Sequence, residues 1–156
     1  EHARKGGAAR CHARRGTLWD GRFRSALLDA QTLLMDAIVH VETLPVAAGL
    51  AAAAADWPWS SAAHHSGRRH DAVVSDHPRY WQIGNTPFER EHAHTVALSV
   101  AQQRSPDARF ADATRRALIL GPPSFRARVA AALDRPAQAR PRGRPRRTNH
   151  GKSVPI

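Results

Sequence analysis

Ten histidines, one tyrosine and one cysteine are among the side chains here that could hold a metal or attack an electrophile. His92-Ala93-His94 has the form His-hydrophobic-His, whose two rings could share one ion only on a strand, where residues i and i+2 face the same way. Thr86, Pro87 and Glu89, however, spell a helix start: an N-cap, a proline at the first helical position and a reciprocal capping glutamate. On a helix the two imidazoles point about 200° apart, and one ion cannot easily take both. His64, His65 and His70 stand in a polar stretch with Gly67, Arg68 and Arg69, and nothing in their spacing fixes a further ligand, so a solvated loop is expected. No residue is assigned to a metal. Tyr80 falls in a short turn expected over Asp76 to Gly84 and has no catalytic role in this reading. Cys11 is the sole cysteine, which excludes an intrachain disulfide and a cysteine-rich zinc site.

Charge points to the partner. The chain carries 24 Lys and Arg against 13 Asp and Glu, a net +11, and such an excess fits a polyanion, above all nucleic acid. Arginine and alanine are also what a GC-rich genome favours, so composition alone does not establish the partner. Pro141-Arg142-Gly143-Arg144-Pro145-Arg146-Arg147 has the form of an AT-hook, in which an extended Arg-Gly-Arg fits the narrow, strongly negative minor groove of A·T tracts. A generic basic tail is the alternative. Arg22 and Arg24 either reach phosphate or form a solvated face.

The helices expected to position these residues are short and alanine-rich, as in Ala51 to Ala55, and the core should be thin. Residues 1–15 read as a basic arm, 16–134 as a helical region and 135–156 as a disordered Arg/Pro-rich tail. Leu18, Trp19, Phe23 and Leu27 alternate as in an extended segment. Asp29 suits an N-cap, followed by Leu34, Ala37, Ile38 and Val41 as a buried stripe that ends where Pro45 disfavours helix at Leu44. Trp57 and Trp59 are expected in the core, with base stacking as the alternative. A helix from Ser105 carries Phe110, Ala113, Ala117 and Leu118 and stops at Gly121-Pro122-Pro123. A last one carries Phe125, Val129 and Leu133, and the pair admits a helix-turn-helix alternative. No apolar run approaches a bilayer span of about 20 residues, and the first residues lack a signal-peptide core, so a cytoplasmic, nucleoid-associated protein is expected, with no membrane partner.

Three blocks in order resemble one family. G-T-L-W-D-G-R-F-R-S (16–25), H-V-E-T-L-P-V-A-A-G (40–49) and D-W-P-W-S-S (56–61) are similar to the G-T-L-W-x-G-R-F-K-S, Y-I-E-L-N-P-V-R-A-G and D-Y-P-W-S-S of the REP-associated tyrosine transposases, HUH-class enzymes of single-strand DNA. The likeness continues through S-D-H-P-R-Y-W-Q-I-G-N-T-P-F-E-R (75–90). The resemblance implies single-strand DNA transposition: a His-hydrophobic-His pair holding Mg or Mn, and a tyrosine that attacks a DNA phosphodiester. The tyrosine position is His40 here, and the asparagine before the proline is Leu44. The family's histidine pair precedes G-T-L-W, and since Glu1 is not an initiator Met the chain reads as a fragment.

The fold expected is therefore mainly α: the C-terminal part of an α+β HUH transposase without its metal-site strand. The function expected is a transposase-derived DNA-binding protein, catalytically inactive, with His40 in the nucleophile position and no cofactor of its own. Its partner would be a single-stranded hairpin or an A·T-rich duplex, bound through Arg22, Arg24 and residues 142–147. A subunit completing a split active site and a non-functional pseudogene product are the alternatives.

Overall fold

A computed structural model describes residues 22–133, of which 54% are helical and 4% lie in strands. The mainly α expectation holds. The basic arm and the AT-hook-like tail lie outside the described residues. Two short strands, β1 (Leu27–Leu28) and β2 (Ile119–Leu120), pair in parallel, Leu27 opposite Ile119 and Leu28 opposite Leu120, and so tie the two ends of the described chain together. The helices between them are α1 (Leu34–Ala47), a 3-10 turn (Ala54–Asp56), α2 (Ala62–His65), α3 (Pro78–Trp81), α4 (Pro87–Gln102) and α5 (Ala108–Arg116). After β2 comes α6 (Pro123–Leu133).

The apolar centre is small, as the alanine content predicts: Ala54, Ala62 and Leu98, with Val39 and Val46 packed against them. α1 lies along α4, and α2 with the 3-10 turn closes the third side. The buried face of α1 differs from the expected stripe. Val41 is 62% exposed, and the residues turned inward are Val39, Glu42, Thr43 and Val46, themselves at i, i+3, i+4 and i+7. Two polar residues occupy that face because each finds partners there. The Thr43 hydroxyl donates to the Val39 and His40 carbonyls, and Glu42 meets the histidines described below.

Other expectations are corrected in the same way. Asp29 does not cap α1, whose N-cap is Leu33 with no side-chain bond; the buried Asp29 carboxylate instead accepts from Thr32 Oγ1. α1 also runs through Pro45. A proline there removes a single N–H near the helix end, and the Ala48 and Leu50 amides close the terminus on the Leu44 and Pro45 carbonyls. Trp59 is 85% exposed and stands outside the core. Ala117 and Leu118 do not continue a helix, because Ala117 takes a left-handed conformation, φ 53°, that turns the chain into β2. With that strand between them, α5 and α6 are not joined by the short turn of a helix-turn-helix pair, and α6 follows β2 directly with none of its residues buried.

Two helix starts hold as expected, those at Pro78 and at Thr86-Pro87-Glu89, whereas the helix expected from Ser105 begins at Ala108 with Asp107 as its N-cap. Thr86 and Glu89 form the complete capping box, and His77 caps α3 by accepting the Arg79 amide.

Candidate functional site

The densest polar chemistry lies in the interior. Glu42 on α1, His65 at the end of α2 and His94 in the middle of α4 are all buried, and their ligand atoms lie within 4.8 Å of one another. His65 Nδ1 is 2.7 Å from Glu42 Oε1, and His94 Nε2 is 2.6 Å from Glu42 Oε2. Ser61 Oγ adds a third donor to Oε1 at 2.6 Å. Burial by itself pushes the Glu42 carboxyl up. The hydrogen bonds from His65, His94 and Ser61 outweigh that cost and hold its pKa down at about 2. An ionised carboxylate in this position is therefore paired on both oxygens, which is what makes so polar a core tolerable.

A second layer surrounds the three. The Tyr80 hydroxyl donates to the His65 carbonyl at 2.9 Å, and the Tyr80 ring packs 4.8 Å from the His65 ring. Asp76 Oδ1 lies 3.5 Å from His65 Nε2 and 3.4 Å from His64 Nε2, yet it is buried and makes no hydrogen bond. His64 Nδ1 accepts the Asp71 amide at 3.0 Å. The expected solvated loop is thus only half right: His70 is exposed, but His64 is half-buried and His65 is 5% exposed. α2 draws them inward because Ala62 and Ala63 bury completely or nearly so on the same short helix.

His92 and His94 diverge as helical geometry requires. His92 is exposed and stacks on Phe88, while His94 is 1% exposed. The pair does not converge on one ion, but His94 alone reaches the buried centre. Sequence pattern gave little notice of this. Only the i+4 step from Arg90 to His94 and again to Leu98, all buried, marks the inward face of α4, and two of those three residues are ones that more often face solvent.

His40, at the family's tyrosine position, lies on another face of α1. It lines a cleft of about 770 Å³ with Met35, Thr43, Asp107, Arg109 and Phe110. Its ring packs 4.9 Å from that of Phe110. Burial lowers its pKa, and the nearby Asp107 partly offsets this. Arg109 grips Asp107 through Nε at 2.9 Å and Nη2 at 2.7 Å. Tyr80 is sequestered from any such role: burial, and then the Asp76 and Glu91 charges, push its hydroxyl up to about 12, and its proton is already given to a carbonyl.

Arg22 and Arg24 are exposed beside β1, and Arg24 Nη1 donates to the Arg115 carbonyl at 3.2 Å. That brings Arg24 next to Arg115 and Arg116 at the strand-paired end of the body. Arg142, Gly143, Arg144, Pro145, Arg146 and Arg147 fall outside the described residues. Among the described residues no helix is long and apolar enough to cross a membrane. No family model, curated protein or solved structure matches the chain.

Proposed function

We propose that the chain is a transposase-derived DNA-binding protein of the REP-associated tyrosine type, without tyrosine-based strand cleavage, acting at the nucleoid. The observation that carries the DNA-binding part is where the charge sits. Residues 22–133 hold 12 Lys and Arg against 10 Asp and Glu, a net +2, whereas residues 1–21 and 134–156 hold 12 against 3, a net +9. A nearly neutral folded body flanked by strongly basic segments binds a polyanion mainly through those segments, by releasing condensed counterions.

The family part is supported by the way the quoted blocks meet. Ser61, from D-W-P-W-S-S, donates to Glu42, from H-V-E-T-L-P-V, so two blocks recognised separately in the sequence share one hydrogen bond in the fold. The loss of tyrosine chemistry rests on His40 in place of the nucleophile and on the buried, hydrogen-bonded hydroxyl of Tyr80.

The test is binding of the full chain to a single-stranded hairpin and to an A·T-rich duplex over a range of salt, with the DNA recovered and sized afterwards. Expected are a steep fall of affinity with salt, about −0.9 in the log–log slope per phosphate neutralised on duplex, and DNA of unchanged length in Mg or Mn. Salt-independent binding, or none at low salt, would overturn the first part, and a covalent protein–DNA adduct the second.

A further inference from the structure

The proton arrangement around the buried centre leaves one contact unexplained. With Glu42 accepting on both oxygens, His65 carries its proton on Nδ1, and its Nε2 lone pair then faces Asp76 Oδ1 at 3.5 Å. That oxygen is buried and has no hydrogen bond, so two acceptors confront each other. His64 does not repair this, because its Nε2 stands 3.4 Å from the same oxygen without hydrogen-bonding geometry.

We propose that Glu42, His65 Nδ1 and His94 Nε2 are the protein ligands of a structural site for a divalent transition metal of the zinc class. The assignment does not depend on the DNA-binding reading. A metal on His65 Nδ1 moves the ring proton to Nε2, which faces Asp76 Oδ1 at 3.5 Å and becomes its donor once a small closure of that contact gives it hydrogen-bonding geometry. The acceptor–acceptor contact becomes the carboxylate–histidine–metal relay that orients ligating histidines. Ser61 orients the Glu42 carboxylate by donating to Oε1, the oxygen that His65 Nδ1 also meets. Two imidazoles and one carboxylate are a donor set that zinc accepts, with a fourth position left for a further ligand. The charges also balance, since a divalent ion offsets the Glu42 and Asp76 carboxylates together.

The ligands come from α1, α2 and α4, so the ion would join the three helices around the small alanine core. Zinc needs ligand distances of about 2.0–2.1 Å, and tetrahedral donors about 3.3 Å apart, so the 2.6–2.7 Å contacts must open by well under an ångström and the widest ligand pair, up to 4.8 Å apart, must close by about 1.5 Å. His94 Nδ1 is buried and unpartnered in either tautomer and does not discriminate. The metal-free rival is a doubly protonated His65 bridging Glu42 and Asp76, which needs the same closure of the 3.5 Å contact.

The experiment uses the full, untagged chain stripped with chelator and then titrated with Co2+ and Zn2+. Expected are one equivalent bound, the visible bands of tetrahedral Co2+, and an X-ray absorption shell for zinc of two imidazoles with oxygen. At zinc one hundredfold above its Kd, the folding equilibrium constant should rise about a hundredfold. His65→Gln and His94→Gln should lose that equivalent, whereas His92→Gln, at an exposed neighbour, should keep it. Should the buried variants fail to fold, the wild-type absorption shell decides. Absence of stoichiometric binding, a six-coordinate shell of oxygens, or equal loss in His92→Gln would overturn the site, the first result leaving the protonated bridge.

Discussion

His94 Nε2 lies 2.6 Å from Glu42 Oε2 and joins the middle of α4 to α1 across 52 residues of chain. Since Glu42 is 2% exposed, that bond, its counterpart from His65 and the Ser61 hydroxyl stand in for the water the carboxylate has lost. Glu42→Ala would leave two buried imidazoles without their acceptor. The expected cost is about 3–5 kcal/mol, the range for breaking one side of a buried charged pair, measured by denaturant unfolding. Glu42→Gln, which keeps the shape and one acceptor, should cost less.

The same group sets an acid limit on the metal-free protein. The Glu42 pKa falls from an ordinary 4.5 to about 2 on folding, so its contribution is fully present above about pH 4.5 and is lost as pH falls towards 2. A shift of that size corresponds to about 3 kcal/mol. Unfolding free energy followed from pH 5 down to pH 2 should therefore decline, and the Glu42→Gln variant should decline less over the same interval. Parallel curves for the two proteins would mean that other carboxylates set the acid limit.

What the sequence made legible was local. Thr86, Pro87 and Glu89 announce a helix start by chemistry contained in four residues, and Pro78 after His77 does the same for α3. The centre was not legible because nothing local marks it. Glu42 fits a solvent-facing pattern as long as Leu34, Ala37, Ile38 and Val41 are taken for the buried stripe, and only the packing of α4 against α1 selects the Val39–Val46 face instead. His65 was hidden by its polar neighbours. His94 was hidden by its pairing with His92, which drew attention to a shared ion and away from one inward-facing ring. β2 was missed because Phe110, Ala113, Ala117 and Leu118 continue a helical period that the left-handed Ala117 interrupts.

The capping box gives a calibration of α4. Thr86 Oγ1 accepts the Glu89 amide at 3.2 Å, and Glu89 Oε2 accepts from the amides of Asn85 and Thr86. Thr86→Ala should cost about 1 kcal/mol, seen as a drop of about 4 °C in Tm with no change in the secondary structure by circular dichroism.

Gly121 carries the turn from β2 into α6 at φ 148°, and a Cβ there would stand 2.7 Å from the Phe125 ring and 2.9 Å from Asp29 Cβ. Both neighbours are packed, and the backbone conformation is one that side-chain-bearing residues rarely adopt. Gly121→Ala should cost about 1–3 kcal/mol and loosen the β1–β2 end first, read as faster hydrogen exchange at the Leu27 and Asp29 amides, which donate to Leu118 and Leu120. Unchanged exchange at those two amides would place the strain elsewhere.

Within the DNA-binding proposal, the distribution of charge makes the tail separable from the body. Removing residues 135–156 takes away seven basic residues and no acidic one, and leaves the described helices intact in sequence. If free arginines act only by displacing counterions, each should contribute alike, and Arg135→Ala should weaken binding as much as Arg142→Ala. If Arg142-Gly143-Arg144-Pro145 enters a minor groove, the outcome is unequal. Arg142→Ala and Arg144→Ala should then cost more than Arg135→Ala or Lys152→Ala, and they should reduce the preference for A·T-rich over G·C-rich duplex as well as the affinity, because only arginines beside the glycine can lie in the narrow groove. Arg22→Ala and Arg24→Ala supply the comparison from the folded body, where Arg24 already spends one hydrogen bond on the Arg115 carbonyl. Full affinity after truncation would move the contact surface to that strand-paired end, with Arg22, Arg24, Arg115 and Arg116 as its cations.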